Sequence, residues 1–445
     1  MKCNVWHLCA GALLLGTVAR IDARAETNFV SPTGAHVSPF LTWANAATNI
    51  QAAVDAATNG NTILVTNGVY EPFQVPGFTK TITIRSVNGW NGTIIDGAGT
   101  GQCVNFSSPS NILDGFTIRN GYDGGLGGGG GIFATLYNTI VNCVVVSNTA
   151  TLGGGIECVG CLVSNSWILD NTALQQAGGI DYLPIAGVPE SIITHCVISG
   201  NVAGVGGGIW TEKTLALEHT TISGNTASNA GGGVFKNHPG TGIQTAVGRV
   251  RNCLIVDNTA LTNGGGIYAN STTTLVSNCI LYTNAASTNA NHAFVSNSIT
   301  FSHTCTEPLP GGPGNIATNP GFVSGPIGDL HLRSGSPCID AGTNLSWTAT
   351  GRDIDGQPRL SGARPDMGCD EAQFVIRAVT RNATSSLVTV DAVVDGAFQI
   401  DASPTPSPAA WTGVTQVVTA SVAVATLADT NAPVASRMYR AVWLR

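Results

Sequence analysis

The chain has 445 residues, a formal net charge of -7, and charged side chains at only 10% of the total. Hydrophobic residues stay at 43% and glycine reaches 56, which excludes a disordered composition and favours turn-rich β structure over helical bundles. Lysine and arginine are scattered without a basic run, so a nucleic-acid phosphate backbone is excluded as a partner.

The first 25 residues read as a secretory signal: Lys2, an apolar run from Leu8 to Val18, and Ala23-Arg24-Ala25 before Glu26. The run is too short to cross a membrane, and no later segment qualifies. The mature protein is therefore expected outside the cell or at its surface, with the periplasm as the other compartment. Of twelve cysteines, Cys3 and Cys9 fall in the signal. The others enter a compartment that permits disulfides.

From residue 142 the chain repeats itself. NCVVVSN, NSWILDN, HCVISGN, HTTISGN, NCLIVDN and NCILYTN share one motif: Asn or His, a small residue, and a closing Asn six positions on. A glycine pair followed by Ile or Val alternates with it, at Ile132, Ile156, Ile180, Ile209, Val234 and Ile267. The small residues Cys143, Ser166, Cys196, Thr220, Cys253 and Cys279 are spaced 23, 30, 24, 33 and 26 apart. Short period-2 strands in a unit of that length predict one turn of a parallel β-helix per repeat. Cys143 and Val145, two apart, point into its core. The closing residues Asn148, Asn171, Asn201, Asn225, Asn258 and Asn284 sit at a bend, where stacked amides satisfy one another and the backbone. The glycines recur in six coils and no Gly-Lys-Ser/Thr follows, so they shape turns and do not form a phosphate loop.

The strands predicted in SLVTVDAVV and TQVVTASVAVATL, separated by the loop SPTPSPAAW, assign residues 373–445 to a separate C-terminal β module. It resembles a small β-sandwich appended to secreted bacterial proteins.

The alternation of GGGI with I-x-x-N resembles the repeat of chlamydial polymorphic outer-membrane proteins and, more widely, the right-handed pectate-lyase-like β-helix superfamily. The opening NFVSPTG…TNIQAAVDAATNGNTILVTNGVYE resembles the start of secreted bacterial β-helix proteins. That resemblance implies an N-terminal cap over 26–60, with Thr48–Thr58 an amphipathic helix burying Ile50, Val54 and Ala57. TITIRSVNGWNGTIIDG would supply the first coils. SPCIDAG, DIDGQPR and DMGCDE resemble the closing segment of the same proteins, so the solenoid and its closure would occupy 61–372. The expected fold is all-β: a right-handed single-stranded parallel β-helix of roughly ten coils. Such folds host many activities. The chlamydial proteins end in a translocator barrel, which the roughly 70 residues after Ala372 are too few to form. The clustered calcium-binding Asp and Arg base of pectin-degrading relatives, and the paired Asp and Gly-His-Gly of glycosidase relatives, are not recognisable. Arg85, Arg119, Arg249 and Arg251 stand as isolated base candidates.

Candidate sites follow from the repeat. Insertions collect between each Ile/Val and the next small residue, giving long connectors over 181–192 and 236–249. In solenoids such insertions often mark the binding face. The residue after each stacked Ile/Val is expected to face outward: Phe133, Glu157, Asp181, Trp210, Phe235 and Tyr268. Aromatics at coil spacing suit sugar rings. Glu157 and Asp181, about 5 Å apart in a regular ladder, suit Ca²⁺ or a shared proton. The alternative is an ordinary solvated face with aromatics packed across strands. His195 and His219 read as outward ladder residues, and His238, on the longest connector, is the histidine candidate for catalysis beside Glu157 and Asp181. Cys158-x-x-Cys161 lacks the partners of a zinc site. Cys143, Cys196, Cys253 and Cys279 read as a buried ladder. Cys305, Cys338 and Cys369 flank the closing segment, with one bridge expected among them, Cys305–Cys338 favoured over Cys338–Cys369. Asp353, Asp355, Asp366 and Asp370, with Glu371, suit either calcium or turn capping and pairing with Arg359 and Arg364. The leading functional expectation is binding of a polysaccharide or another surface partner. A polysaccharide lyase or glycoside hydrolase and a purely structural solenoid are the alternatives.

Overall fold

The structure is a computed structural model. It describes residues 25–445 apart from 78–79, 184, 186–187, 189, 213–214, 238–247, 271–272, 296–298, 325–328, 382–384, 404–411, 414, 423, 431–436 and 444–445. The signal segment and His238 lie outside the described residues.

One coil shows how the repeat folds. Thr139–Val141 and Val144–Val146 are strands of two different sheets, and Asn142 turns the corner between them with a left-handed φ of 55°. Asn tolerates that conformation better than most residues. Asn165, His195, His219, Asn252 and Asn278 make the same corner. A second left-handed corner precedes each closing Asn, at Ser147, Asp170, Gly200, Gly224, Asp257 and Thr283. The motif is thus a three-residue strand between two left-handed corners.

Immediately after the first corner Cys143 turns inward, and its thiol meets the Val141 carbonyl at 3.2 Å. Ser166, Cys196, Thr220, Cys253 and Cys279 repeat this contact with the carbonyl two residues back. The buried ladder of small residues is as expected, because only a small side chain with a donor fits against the next coil and covers that carbonyl. After the second corner the closing Asn residues form a continuous buried ladder. Asn201 Nδ2 donates to Asn225 Oδ1 at 2.8 Å, and the Asn201 backbone N–H reaches the same oxygen at 3.0 Å. Asn225 repeats both bonds onto Asn258, and the chain of amides continues through Asn284 to Asn291. Fully satisfied, such a network stiffens the bend; broken, it strands buried donors.

Stacked coils give four parallel sheets. Sheet I has eleven strands, from Thr27–Val30 to Ile299–Ser302, and sheet II has ten, from Gly68–Tyr70 to Cys305–Thr306. Sheet III has nine, from Phe73–Val75 to His292–Val295, and sheet IV six, from Tyr122–Gly128 to Thr259–Ala260. Sheet IV, whose last five strands each follow a closing Asn, is an element that the sequence pattern did not reveal. One core cluster runs along the solenoid from Val30 to Phe301. Its N-terminal end is covered by the helix Ile50–Ala56, capped by Asn49 Oδ1 accepting the Ala52 N–H at 2.8 Å. Ile50, Val54 and Ala57 are buried as expected. The first strand, Thr27–Val30, precedes this helix and heads sheet I.

At the other end Leu332, Cys338, Met367 and Cys369 pack on Leu254, Val256, Ile280 and Cys305, covering the last strands of sheet II. Beyond them lie two antiparallel sheets, Val375–Arg381 with Ser386–Asp391 and Val424–Asp429, and Ala397–Ser403 with Thr412–Gly413, Val418–Thr419 and Met438–Trp443. They share a small core that includes Val388, Val390, Phe398 and Ile400. Among the described residues no helix is long and apolar enough to cross a membrane.

Candidate functional site

The residue three before each stacked Ile or Val has a positive φ, from 56° at Gly153 to 78° at Gly129, with Ala177 in that place before Ile180. Its bend folds the chain back onto the strand that follows. A Cβ at Gly153 would stand 3.0 Å from Glu157 Cβ and 3.1 Å from Asp181 Cβ. The next glycine is needed for close approach, since a Cβ at Gly154 would lie 2.4 Å from the Thr172 carbonyl oxygen.

Sheet III brings all six predicted column residues together. Phe133 pairs with Glu157, Glu157 with Asp181, Asp181 with Trp210, Trp210 with Phe235, and Phe235 with Tyr268. The column leaves the core, but it is not an open solvated face. Glu157 is 3% exposed, Asp181 0% and Trp210 5%, while Phe133, Phe235 and Tyr268 are half-buried. The glycine bends explain this, because they lay backbone over the middle of the column. A Cβ at Gly128 would fall 1.3 Å from Glu157 Oε2. Phe235 and Tyr268 remain a stacked pair, with ring centroids 4.9 Å apart and planes inclined by 13°.

The two carboxyls are electrostatically unusual. Burial, with Asp123 nearby, pushes Glu157 up to about 7. Burial and the Glu157 carboxyl push Asp181 well above the usual carboxylate range, against the Gln176 amide that donates to Asp181 Oδ2 at 3.1 Å. Glu157 Oε2 and Asp181 Oδ1 are buried without a hydrogen-bond partner. Such a pair holds a proton at neutral pH and can donate it. Perturbed pairs of this kind cluster at functional sites.

The remaining candidates separate. Arg85 pairs with Asp114 at 2.7 Å, Arg119 with Asp96 at 2.8 Å, Arg251 with Glu218 at 3.8 Å, and Arg249 with Glu190. Each bridges segments on the outside of the solenoid and none reaches the column, so the structure gives these arginines no role as a base there. His195 and His219 are stacked at 4.8 Å, but His219 is buried beneath Trp347 of the closing segment. Cys158 and Cys161 are buried free thiols. Cys305 and Cys338 are also free, in contact with each other, which lowers the Cys305 thiol and raises that of Cys338. Of the acidic set, Asp353 and Asp366 cap backbone: Asp353 accepts the N–H of Asp355 and Gln357, and Asp366 that of Asp340 and Ala372. Arg359 is fully buried, pairing with Glu371 at 2.9 Å. These are the turn-capping and pairing roles weighed from the sequence. Asp355 and Asp370 instead stand beside His331.

Two titratable groups escaped sequence reading. Lys236 is 3% exposed, its Nζ donating to the Thr273 carbonyl and Thr274 Oγ1 at 3.1 Å, and burial lowers it to about 8. Its position two residues after Val234 already placed it inward by strand period. His331 had no repeat or motif to mark it.

Residues 252–270 match the family described as the Chlamydia polymorphic membrane protein (Chlamydia_PMP) repeat. The crystal structure of pectate lyase Pel9A is similar, with a TM-score of 0.47 and 15% identity, over 79% of this chain and 98% of that one. No curated protein matches. The chain is a parallel β-solenoid in which the coil at 252–270 is similar to the chlamydial repeat.

Proposed function

We propose that this is a secreted or surface-exposed β-helix protein that binds a polysaccharide along sheet III. The observation that carries the reading is the stacked, half-buried pair Phe235 and Tyr268 on adjacent coils. Rigid aromatic surface contributes contact area at low entropic cost, and the two rings, stacked on each other, form an apolar ridge against which a sugar chain can pack. Phe133 lies on the same column beyond the acidic pair. Glu157 and Asp181 lie beneath the glycine bends between the aromatic ends of the column, so the rings carry the contact.

A panel of immobilised polysaccharides tests this. The protein is expected to be retained by at least one, and Phe235→Ala combined with Tyr268→Ala is expected to weaken retention at least about tenfold, since ring stacking is worth on the order of 1 kcal/mol per ring. Undiminished retention by the double variant would remove this face from consideration.

One observation favours a second reading, hydrolysis or elimination on the bound chain. Glu157 is held near neutrality, where a general acid works best, although the glycine bend over it must open before it meets a bound chain. New reducing ends or ultraviolet-absorbing unsaturated ends, abolished in Glu157→Gln, would support catalysis; neither product across the panel leaves binding alone.

A further inference from the structure

The closing segment brings together three carboxylates and an imidazole from three stretches of sequence. Asp353 holds the turn that presents Asp355, its Oδ1 accepting the Asp355 and Gln357 N–H groups at 3.1 and 2.7 Å. Asp370 is fixed through its carbonyl, which accepts Arg359 Nη1 at 2.9 Å. His331 precedes Leu332, which is anchored in the closing core. His331 Nε2 lies 2.9 Å from Asp355 Oδ2. On the other side of the ring, Nδ1 is bonded to Asp329 Oδ1, which also accepts the His331 backbone N–H at 3.1 Å. One ligand atom from each of His331, Asp355 and Asp370 lies within 4.8 Å of the other two. Two adjoining cavities, of about 230 and 490 Å³, are both lined by these three residues.

We propose that His331, Asp355 and Asp370 bind one divalent transition-metal ion, with Asp329 orienting the imidazole through Nδ1. Three features point the same way. A ligating histidine characteristically gives its other ring N–H to a carboxylate, which fixes the tautomer and aims the free nitrogen at the metal. Asp329 stands in that place, and Nε2, which here meets Asp355 Oδ2, would exchange that contact for the ion. The charge also asks for a cation: three carboxylates converge on the single imidazole of His331, and the nearby buried guanidinium of Arg359 is committed to Glu371 and to the carbonyls of Asp366, Gly368 and Asp370. Finally, an imidazole nitrogen with two carboxylate oxygens suits zinc, manganese or cobalt better than calcium or magnesium, which prefer oxygen alone. Of the four aspartates singled out by sequence, the geometry keeps only Asp355 and Asp370. The ion would tie the loop at 329–331 to the turn at 353–356 and to Asp370, clamping the segment that closes the solenoid. This site is separate from sheet III and independent of the polysaccharide reading.

The test is calorimetric titration of the EDTA-stripped full chain with Zn²⁺. One equivalent is expected to bind, with affinity reduced at least about tenfold by His331→Gln and by Asp370→Asn, and about 10–100-fold by Asp329→Asn. The cobalt-substituted protein is expected to show visible bands without a thiolate charge-transfer band, which separates this site from the cysteines. Failure of the wild-type chain to take up Zn²⁺ would overturn the proposal. So would uptake that survives unchanged in folded Asp370→Asn, or a cobalt spectrum dominated by thiolate ligation.

Discussion

Glu157→Gln gives a stability change whose dependence on pH is fixed by the structure. The fold disfavours the Glu157 carboxylate, raising it from an ordinary 4.5 to about 7. Below pH 4.5 the carboxyl is protonated in the folded and unfolded chain alike, and this group carries no penalty. As pH rises through about 7 the unfolded chain is already ionised, while the folded chain must hold the proton or bury a charge. Stability is lost over that window, and at ~1.4 kcal/mol per unit the loss reaches about 3 kcal/mol. Glutamine keeps the shape and cannot ionise. Urea unfolding followed by tryptophan fluorescence, with Trp210 next but one along the column, compares the two proteins at pH 4 and pH 8. The variant is expected to gain about 3 kcal/mol relative to wild type between those conditions. A constant difference across that range would refute the buried, protonated carboxyl.

Other outcomes follow from the same geometry. Asn225→Ala removes the acceptor for two Asn201 donors and the amide that covers the Ile198 carbonyl, while the residue 225 backbone N–H still reaches Asn258 Oδ1, so chemical denaturation is expected to show a loss of roughly 3–5 kcal/mol. Burial under Trp347 and beside His195 lowers His219 to about 3, so the stability it contributes is complete above about pH 6.5 and lost as pH falls toward 3. His219→Gln is expected to flatten the acid limb of a thermal-melt profile, and an unchanged limb would count against burial of the ring. Cys305 and Cys338 touch as free thiols, and we propose that oxidation joins them; peptide mapping of oxidised protein is expected to find them linked, and alkylation of both would exclude the bond.

The solenoid was legible because its constraints recur. Each coil must bury a small residue and an amide at fixed places, so Cys143, Asn148 and Ile156 report on every coil at once. The left-handed corners are also written in the sequence, as Asn or His at one position and Ser, Asp, Gly or Thr at the other. The column was legible in register and not in burial. Strand period says that Glu157 points away from the core; it does not say that the preceding glycine bend and Gly128 come down on top of it. His331 was invisible for a different reason. Its partners Asp355 and Asp370 are distant in sequence, and the closing segment has no repeat to align them.

The most direct test of polysaccharide binding on sheet III is hydroxyl-radical footprinting with and without the polysaccharide that the panel selects. Tyr268, Phe235 and Phe133 are expected to lose reactivity together when the ligand is added, while the exposed Tyr122 and Trp167 on other sheets stay unchanged. Protection of Trp167 or Tyr122 with none at Phe235 and Tyr268 would place the ligand elsewhere and contradict the proposal.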